Sequence, residues 1–186
     1  GGRPAIDWYV PAYIGLVAAS IGLISLPVHL ASYRERGVLR RLRASGVSEW
    51  SILGSQLLVS LGIGIVGAVF MAVEGGVVYD ASAPVQLPAF ALAYMTGIAM
   101  FAAIGILLSA IIPSARAVQG LGLMLWFLML FLCGPGSPLD LLPTWLLRLG
   151  QALPLYHVVL ALEYPWNGLG MNVVHQVVVG IGTVVV

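Results

Sequence analysis

Residues 87–112 read LPAFALAYMTGIAMFAAIGILLSAII and contain no charged side chain. About 20 apolar residues in an α-helix are enough to cross the ~30 Å hydrocarbon core of a bilayer. The run is continuous rather than alternating, which favours a helix over a half-buried strand. We therefore predict a membrane-spanning helix at 87–112, within a longer uncharged run from Ala81 to Ala115.

The composition of the whole chain indicates the same class of protein. Of 186 residues, 60% are hydrophobic and only 8% are charged, and the mean hydropathy is +1.03. Soluble domains usually carry about 25% charged residues. A chain of this size could not hide so much apolar surface from water, so lipid must solvate it.

Four more uncharged runs predict further spans, at residues 9–31, 51–73, 117–137 and 169–186. The last is the shortest, because 165–168 read PWNG, which favours a loop, and a helix from Leu169 to Val186 would measure about 27 Å. Pro27 is expected to kink the last turns of the first helix. The predicted fold class is an all-α integral membrane protein, a single transmembrane domain over 1–186 with about five spans.

The placement of arginine predicts the orientation, because cytoplasmic loops of membrane proteins are enriched in Lys and Arg. The chain has eight basic residues, and all are Arg. Two, Arg3 and Arg148, fall on one side; the other side has the remaining six, at 34, 36, 40, 41, 43 and 116. We expect a multi-pass protein of the cell (inner or plasma) membrane, with the N-terminus of this chain outside and its C-terminus in the cytoplasm.

Residues 34–49, RERGVLRRLRASGVSE, predict a short basic amphipathic helix along the cytoplasmic membrane surface. On a helix, one face would hold Arg36, Arg40 and Arg43, and another would hold Glu35, Leu39 and Leu42. Ser48 can cap the helix that follows. The residues alone leave two interpretations open: an anchor that touches anionic lipid, and a docking site for a cytoplasmic partner.

Residues 138–165 are too long for a simple turn and rich in Leu. Pro143 and Pro154 each open a stretch of roughly ten residues, too short to span a bilayer. The aromatic residues suit the membrane interface: Trp145, Tyr156, Tyr164 and Trp166. We predict two short helices folded back into the outer leaflet, which form either a lid over the helix ends or an exit gate for a substrate.

The sequence contains no recognisable catalytic motif. The spans hold no acidic or basic residue well inside the lipid, and the three histidines share no spacing, so each is expected to be a hydrogen-bonded residue rather than a metal ligand. Cys133, the single cysteine, is expected to be a buried and inert thiol. We expect no enzyme activity, no cofactor and no metal in this chain, and the net charge of +1 gives no indication of nucleic-acid binding.

Two motifs resemble the permease subunits of ABC-2-type exporters, the group of drug, polysaccharide and lipid exporters. The first is ERGVLRRLRASGVS at 35–48, between two spans, and the second is LPTWLLRLGQALPLYHVVLAL at 142–162. The resemblance extends over nearly the whole chain. It departs from the family at Gly46, where Pro is frequent, and at Glu163, where Arg is frequent. The chain also lacks the family's first interfacial helix and first span, which is expected of a fragment, a truncated product or a partial sequence.

The resemblance implies a role for each motif. The first would be part of the coupling region that contacts an ATP-binding subunit, through Glu35, Arg36, Gly37, Leu39, Arg40, Leu42 and Arg43. The second would form the re-entrant outer segment, with Pro143, Trp145, Pro154 and His157. ATP and Mg would be bound by the partner ATPase, and two permease copies or homologous halves would complete an exporter of hydrophobic or amphiphilic substrates.

Three hypotheses follow from the sequence. The first is a transport subunit driven by a separate ATPase. The second is a non-transporting scaffold or degenerate permease, and the third is an intramembrane enzyme, which the lack of reactive groups makes the weakest. Co-purification of an ATPase would favour the first hypothesis, and its absence the second.

The arginine asymmetry generates a prediction of topology. In a Cys133→Ser background, single cysteines at Asp80 and Asp140 should react with an impermeant thiol reagent added to intact cells. A cysteine at Ser45 should react only after the membrane is opened. Labelling of position 45 from outside would show that the orientation is the reverse of the predicted one.

Overall fold

The computed structural model describes residues 4–38, 41, 44–46, 48–136 and 142–185. Within these ranges the chain forms helices and no strand. The helices that we number α1 to α8 are, in order, α1 (Ile6–Ser20), α2 (Leu26–Glu35), α3 (Glu49–Tyr79), α4 (Leu87–Ile111), α5 (Ala115–Leu132), α6 (Thr144–Ala152), α7 (Pro154–Trp166) and α8 (Val173–Val185). The all-α membrane architecture predicted from the sequence is confirmed.

A π-helical segment, Ile21–Ser25, joins α1 to α2, so that Ile6–Glu35 is one long helix. Its geometry follows from Pro27, which has no N–H to donate and whose ring crowds the preceding turn. The N–H of Leu26 instead donates to Ile21 O, five residues back. Single π turns of this kind are a common way for a helix to bend. The distortion lies just before Pro27, whereas a kink was expected in the last turns of the helix.

The long first helix is the core of the bundle. In its most apolar window 67% of the residues are buried, against 11% for the corresponding window of α3. Helices α3, α4, α5 and α7 pack around it. By contrast, α3 exposes large apolar side chains such as Leu58, Val66 and Phe70. An apolar face of this size is stable in lipid and would be unstable in water.

Four helices in the described ranges are long and apolar enough to cross a membrane: Ile6–Glu35, Ser51–Tyr79, Leu87–Ile111 and Ala115–Leu132. The second extends past the expected end at residue 73 and includes Glu74. The fourth ends at Leu132 rather than at residue 137. A fifth span is reached only if the bent pair α6 and α7 is counted as one.

The region from 165 to 173 differs from the sequence prediction. Helix α7 continues through Pro165 to Trp166, where a loop was expected, because both residues are buried and their carbonyl groups accept the N–H groups of Gln86 and Val85. Helix α8 begins at Val173, not near residue 169. Gly168 and Gly170 have positive φ angles of 75° and 87°, so the chain is still turning there. With 13 residues, α8 measures about 20 Å and is shorter than a span.

Glycine allows the helices to touch at their backbones around the π segment. A Cβ atom at Gly105 would overlap the carbonyl oxygen of Gly22, and one at Gly122 would overlap that of Leu23. Small residues let membrane helices approach this closely, and the gain is in van der Waals contact. The π segment is therefore enclosed by α4 on one side and α5 on another.

Buried and half-buried polar side chains link the same helices. The indole N–H of Trp126 donates to Ser20 Oγ at 2.6 Å, and the hydroxyl of Tyr94 donates to Gly64 O at 2.7 Å. Where water is absent, each polar group needs a partner within the protein. These bonds fix α5 to α1 and α4 to α3.

The glycine contacts can be tested with a matched pair on α5. Gly122→Ala should destabilise the protein by roughly 1–3 kcal/mol, because the new methyl group must displace the Leu23 carbonyl. Gly120→Ala is the control, because nothing lies within 4 Å of its Cβ position and Ala is the better helix former. Reversible unfolding in mixed micelles would measure both. Equal effects would contradict the packing described above.

Candidate functional site

Arg34 binds the end of helix α4. It is the penultimate residue of α2, and its guanidinium donates to Ser109 O at 2.7 Å, to Ala110 O at 3.3 Å and to Ile112 O. The last carbonyl groups of a helix have no partner within the helix, and a cation near them is favourable. Arg34 thus caps a helix that lies 75 residues further along the chain.

Glu35 binds the beginning of the next helix. Its Oε1 accepts the N–H of Ala115, the first residue of α5, at 2.8 Å. Ser114 is the N-cap of the same helix, and its hydroxyl accepts the N–H of Ala117 at 3.2 Å. A carboxylate at a helix N-terminus meets the positive end of the helix dipole. The two caps together satisfy two of the free N–H groups of α5.

Adjacent residues of opposite charge therefore hold both sides of one short turn. The turn between α4 and α5 consists of Ile112, Pro113 and Ser114. Arg34 holds the helix end before it, and Glu35 holds the helix start after it. We call Arg34, Glu35 and this turn the Arg34–Glu35 clamp. It joins three spans at one end of the bundle, directly where the first span leads into residues 36–48.

The chain leaves the clamp through a glycine turn. Gly37 has φ 67°, a left-handed conformation that favours glycine, and its N–H donates to Arg34 O at 3.1 Å. Nothing lies within 4 Å of its Cβ position, so the glycine serves the bend and not a close approach. The side chains of Arg36 and Arg41 are exposed at the same end. Ser48 caps α3 by accepting the N–H of Ser51 at 3.2 Å, as the sequence predicted.

Four of the seven predicted coupling residues, namely Leu39, Arg40, Leu42 and Arg43, lie outside the described residues. Of the other three, Glu35 binds Ala115 of its own chain, Arg36 is exposed, and Gly37 forms the turn after α2. The structure thus brings Glu35 together with Arg34 and the α4–α5 turn, a grouping that the sequence did not indicate.

The predicted outer segment forms two short helices. Pro143 precedes α6 and Pro154 opens α7, and the two helices are bent by 84°. Trp145 is exposed on α6. On α7, His157 Nδ1 lies 2.9 Å from His175 Nδ1 of α8, so the two rings share a hydrogen bond. Whether this segment stays in the outer leaflet remains a prediction from its length.

The other end of the bundle is tied by a buried acidic residue. Asp7 Oδ1 accepts the N–H of Ser82 at 2.7 Å, and Asn167 Nδ2 donates to the backbone carbonyl of Asp7 at 3.2 Å. Trp166, expected at a half-wet interface, is instead buried against Phe90, with ring centroids 5.2 Å apart. The first span is thus held to α7 and to the loop before α4.

A family model described as ABC-2 family transporter protein matches residues 3–185. The chain belongs to the ABC-2 transporter family. No curated protein and no solved structure matches the chain. The resemblance read from the two motifs is therefore confirmed by a comparison that covers almost the whole chain.

The family match indicates a transporter, and the long apolar helices indicate a membrane protein. The described residues contain no group of three metal-ligating side chains. Sequence reasoning missed Arg34 as a site residue of this transporter, since the residue could not be told from its basic neighbours. The only available signal was the order Arg-Glu at the end of a span, one charge for each type of helix terminus. Cys133 is buried, as expected.

The clamp predicts unequal effects for two neighbouring arginines. Arg34→Ala should destabilise the ABC-2 transporter by about 1–2 kcal/mol, since it removes charge-assisted hydrogen bonds to helix carbonyls. Arg34→Lys should recover only part of this, because an ammonium group lacks the planar fork of donors. Arg36→Ala, at an exposed side chain, should have little effect. Unfolding in mixed micelles would rank the variants, and equal losses at 34 and 36 would exclude the clamp.

Proposed function

We propose that this chain is the permease subunit of an ATP-driven exporter, and that a separate ABC ATPase docks on its cytoplasmic residues 35–43. The observation that carries the proposal is the Arg34–Glu35 clamp. Residues 35–43 begin at a point that is hydrogen-bonded to the ends of two further spans.

The clamp gives a docked partner mechanical access to the bundle. A displacement at residues 35–43 would be passed to α2 directly, and to α4 and α5 through Arg34 and Glu35. Such a path requires short polar contacts rather than long flexible loops, since a slack connection would absorb the motion. The turn of three residues between α4 and α5 meets this requirement.

The partner would bind by apolar contact with surrounding charge complementarity. Leu39 and Leu42 would supply the apolar contact, and exposed arginines such as Arg36 and Arg41 would face acidic groups of the ATPase. Exposed ion pairs contribute only about 0–1 kcal/mol each, whereas burial of one Leu contributes roughly 1.5–3 kcal/mol. The apolar residues should therefore dominate affinity, and the arginines should set orientation.

The remaining parts of the proposal follow from this arrangement. The Arg34 end of the bundle faces the cytoplasm, in agreement with the arginine asymmetry of the sequence. ATP and Mg are bound by the ATPase and not by this chain. A second copy or homologous half completes the permease, and the broad exposed face of α3 gives it a surface to meet either that half or lipid. The cargo is hydrophobic or amphiphilic.

Docking can be tested by co-purification of the ATPase with the full-length permease. Leu39→Asp and Leu42→Asp should each weaken co-purification by at least about tenfold, because a carboxylate cannot be buried in an apolar contact without a large cost. Arg40→Ala should cause less than about a threefold loss. A cysteine-accessibility assay on each variant would confirm correct insertion.

Two outcomes would contradict the proposal. Correctly inserted Leu→Asp variants that hold the ATPase as firmly as the parent would exclude docking at these residues. A parent protein that co-purifies with no ATPase, while remaining folded, would favour a membrane scaffold instead.

A further inference from the structure

A cavity of about 250 Å³ lies between α1 and α3, at the end of the bundle opposite the Arg34–Glu35 clamp. Its apolar wall is formed by Ile6, Val10 and Met71. Most drug-sized ligands fill cavities of about 300–1,000 Å³. This cavity is therefore large enough for the polar headgroup of an amphiphile or for a short alkyl chain, and too small for a large cargo.

Glu74 is the charged residue of the wall. Among the described residues its carboxylate has neither a hydrogen-bond donor nor a basic partner. It lies within the long helix α3, about 7.5 Å before the helix ends at Tyr79. Ionisable groups on membrane helices are costly, and by default they mark a place where a ligand or an ion is handled. The side chain of Glu74 is exposed, and a carboxylate that borders an apolar wall favours a cation.

Two tyrosine rings complete the wall, Tyr13 from α1 and Tyr79 from α3. Both rings are exposed, Tyr13 to 37% and Tyr79 to 60%. Aromatic faces attract ammonium groups at exposed sites as well as at buried ones. One carboxylate with two aromatic rings is a combination suited to alkylammonium groups. A phosphate or a carboxylate ligand would find no positive group in the described part of this wall.

The base of the cavity is closed by direct helix contact. A Cβ atom at Gly75 would come within 2.8 Å of Val10 Cγ2, so α1 and α3 touch there without a gap. Tyr79 is exposed on the outer side. Tyr13, Glu74 and Tyr79 are all exposed, so the cavity is open on the side that they line, and a molecule dissolved in the bilayer could enter there.

We propose that this cavity binds the headgroup of a single-chain cationic amphiphile, an amine or quaternary ammonium, whose apolar chain lies in the adjoining lipid. Glu74 supplies the counter-charge, Tyr13 and Tyr79 contact the cation, and the apolar wall accommodates the first methylene groups. As a binding site it requires no ATPase. Its assignment as a site for exported cargo rests on the proposed function.

Binding can be measured without the ATPase, on the purified chain in nanodiscs, by equilibrium dialysis of radiolabelled dodecyltrimethylammonium. Protein-dependent binding is the excess over empty nanodiscs. Glu74→Gln should weaken this binding by about tenfold, a loss of about 1.4 kcal/mol. For dodecyl sulfate, the Glu74→Gln substitution should leave protein-dependent binding unchanged.

Asp80→Asn is the matched control. Asp80 is an acidic residue at the same helix end, outside the cavity wall, and its left-handed backbone suits Asn. This variant should bind the probe as the parent does. Tyr13→Phe should retain binding, because the ring face remains, whereas Tyr13→Leu should weaken it several-fold. Unchanged melting temperatures would show that Glu74→Gln is folded.

Two lipid compositions distinguish a free amphiphile from a lipid headgroup as the occupant. Binding that persists in phosphatidylcholine nanodiscs as in phosphatidylglycerol nanodiscs supports the proposal. Loss of binding in phosphatidylcholine alone would show that choline lipids occupy the cavity and would overturn it. Equal binding by Glu74→Gln and Asp80→Asn would also overturn it, while leaving the proposed ATPase docking untouched. Export of the probe by the assembled transporter is a separate measurement.

Discussion

The backbone contacts around the π segment Ile21–Ser25 determine where the other helices can lie. Pro27 removes one N–H from the first helix, and the chain responds with a wider turn immediately before it. Gly105 of α4 and Gly122 of α5 then pack against the carbonyl groups of that turn. Because neither position leaves room for a Cβ atom, the separation of these helices from the first one is fixed by main-chain atoms. Every other contact of α4 and α5 must be compatible with that spacing.

The two ends of the first helix are held in different ways. At one end, Arg34 and Glu35 each bind one helix terminus. Each side chain has the charge opposite in sign to the partial charge of the terminus that it binds, which is favourable. At the other end, Asp7 is buried and accepts a hydrogen bond from the loop before α4. The central helix is thus fixed at the bend, at its beginning and at its end. A force applied at residue 35 would therefore reach α4 and α5 through short contacts, which is the mechanical condition that the proposed coupling requires.

The sequence predicted the helices well because lipid leaves few alternatives for an uncharged run such as 87–112. Local signals also identified Ser48 as a cap and the two proline-started helices of the outer segment. The predictions that failed concern residues whose contact partners lie far along the chain. Trp166 reads as an interfacial residue until Phe90 is placed beside it, and Arg34 reads as one of five similar arginines until Ser109 lies within 2.7 Å. The late start of α8 had a local signal in Gly168 and Gly170, whose left-handed turns could have been anticipated.

The central position of the first helix has a consequence for biosynthesis. This helix emerges from the ribosome before any of the helices that bury it, and its contact with Ser109 joins residues 75 positions apart. Until α4 and α5 have been inserted, Arg34 has no carbonyl groups to bind, and the surface around the π segment faces lipid or the insertion machinery. The first helix is fully enclosed only when α7, which is made still later, packs against α1. The helix that is translated first among these therefore acquires its complete surroundings only after α7 has been made.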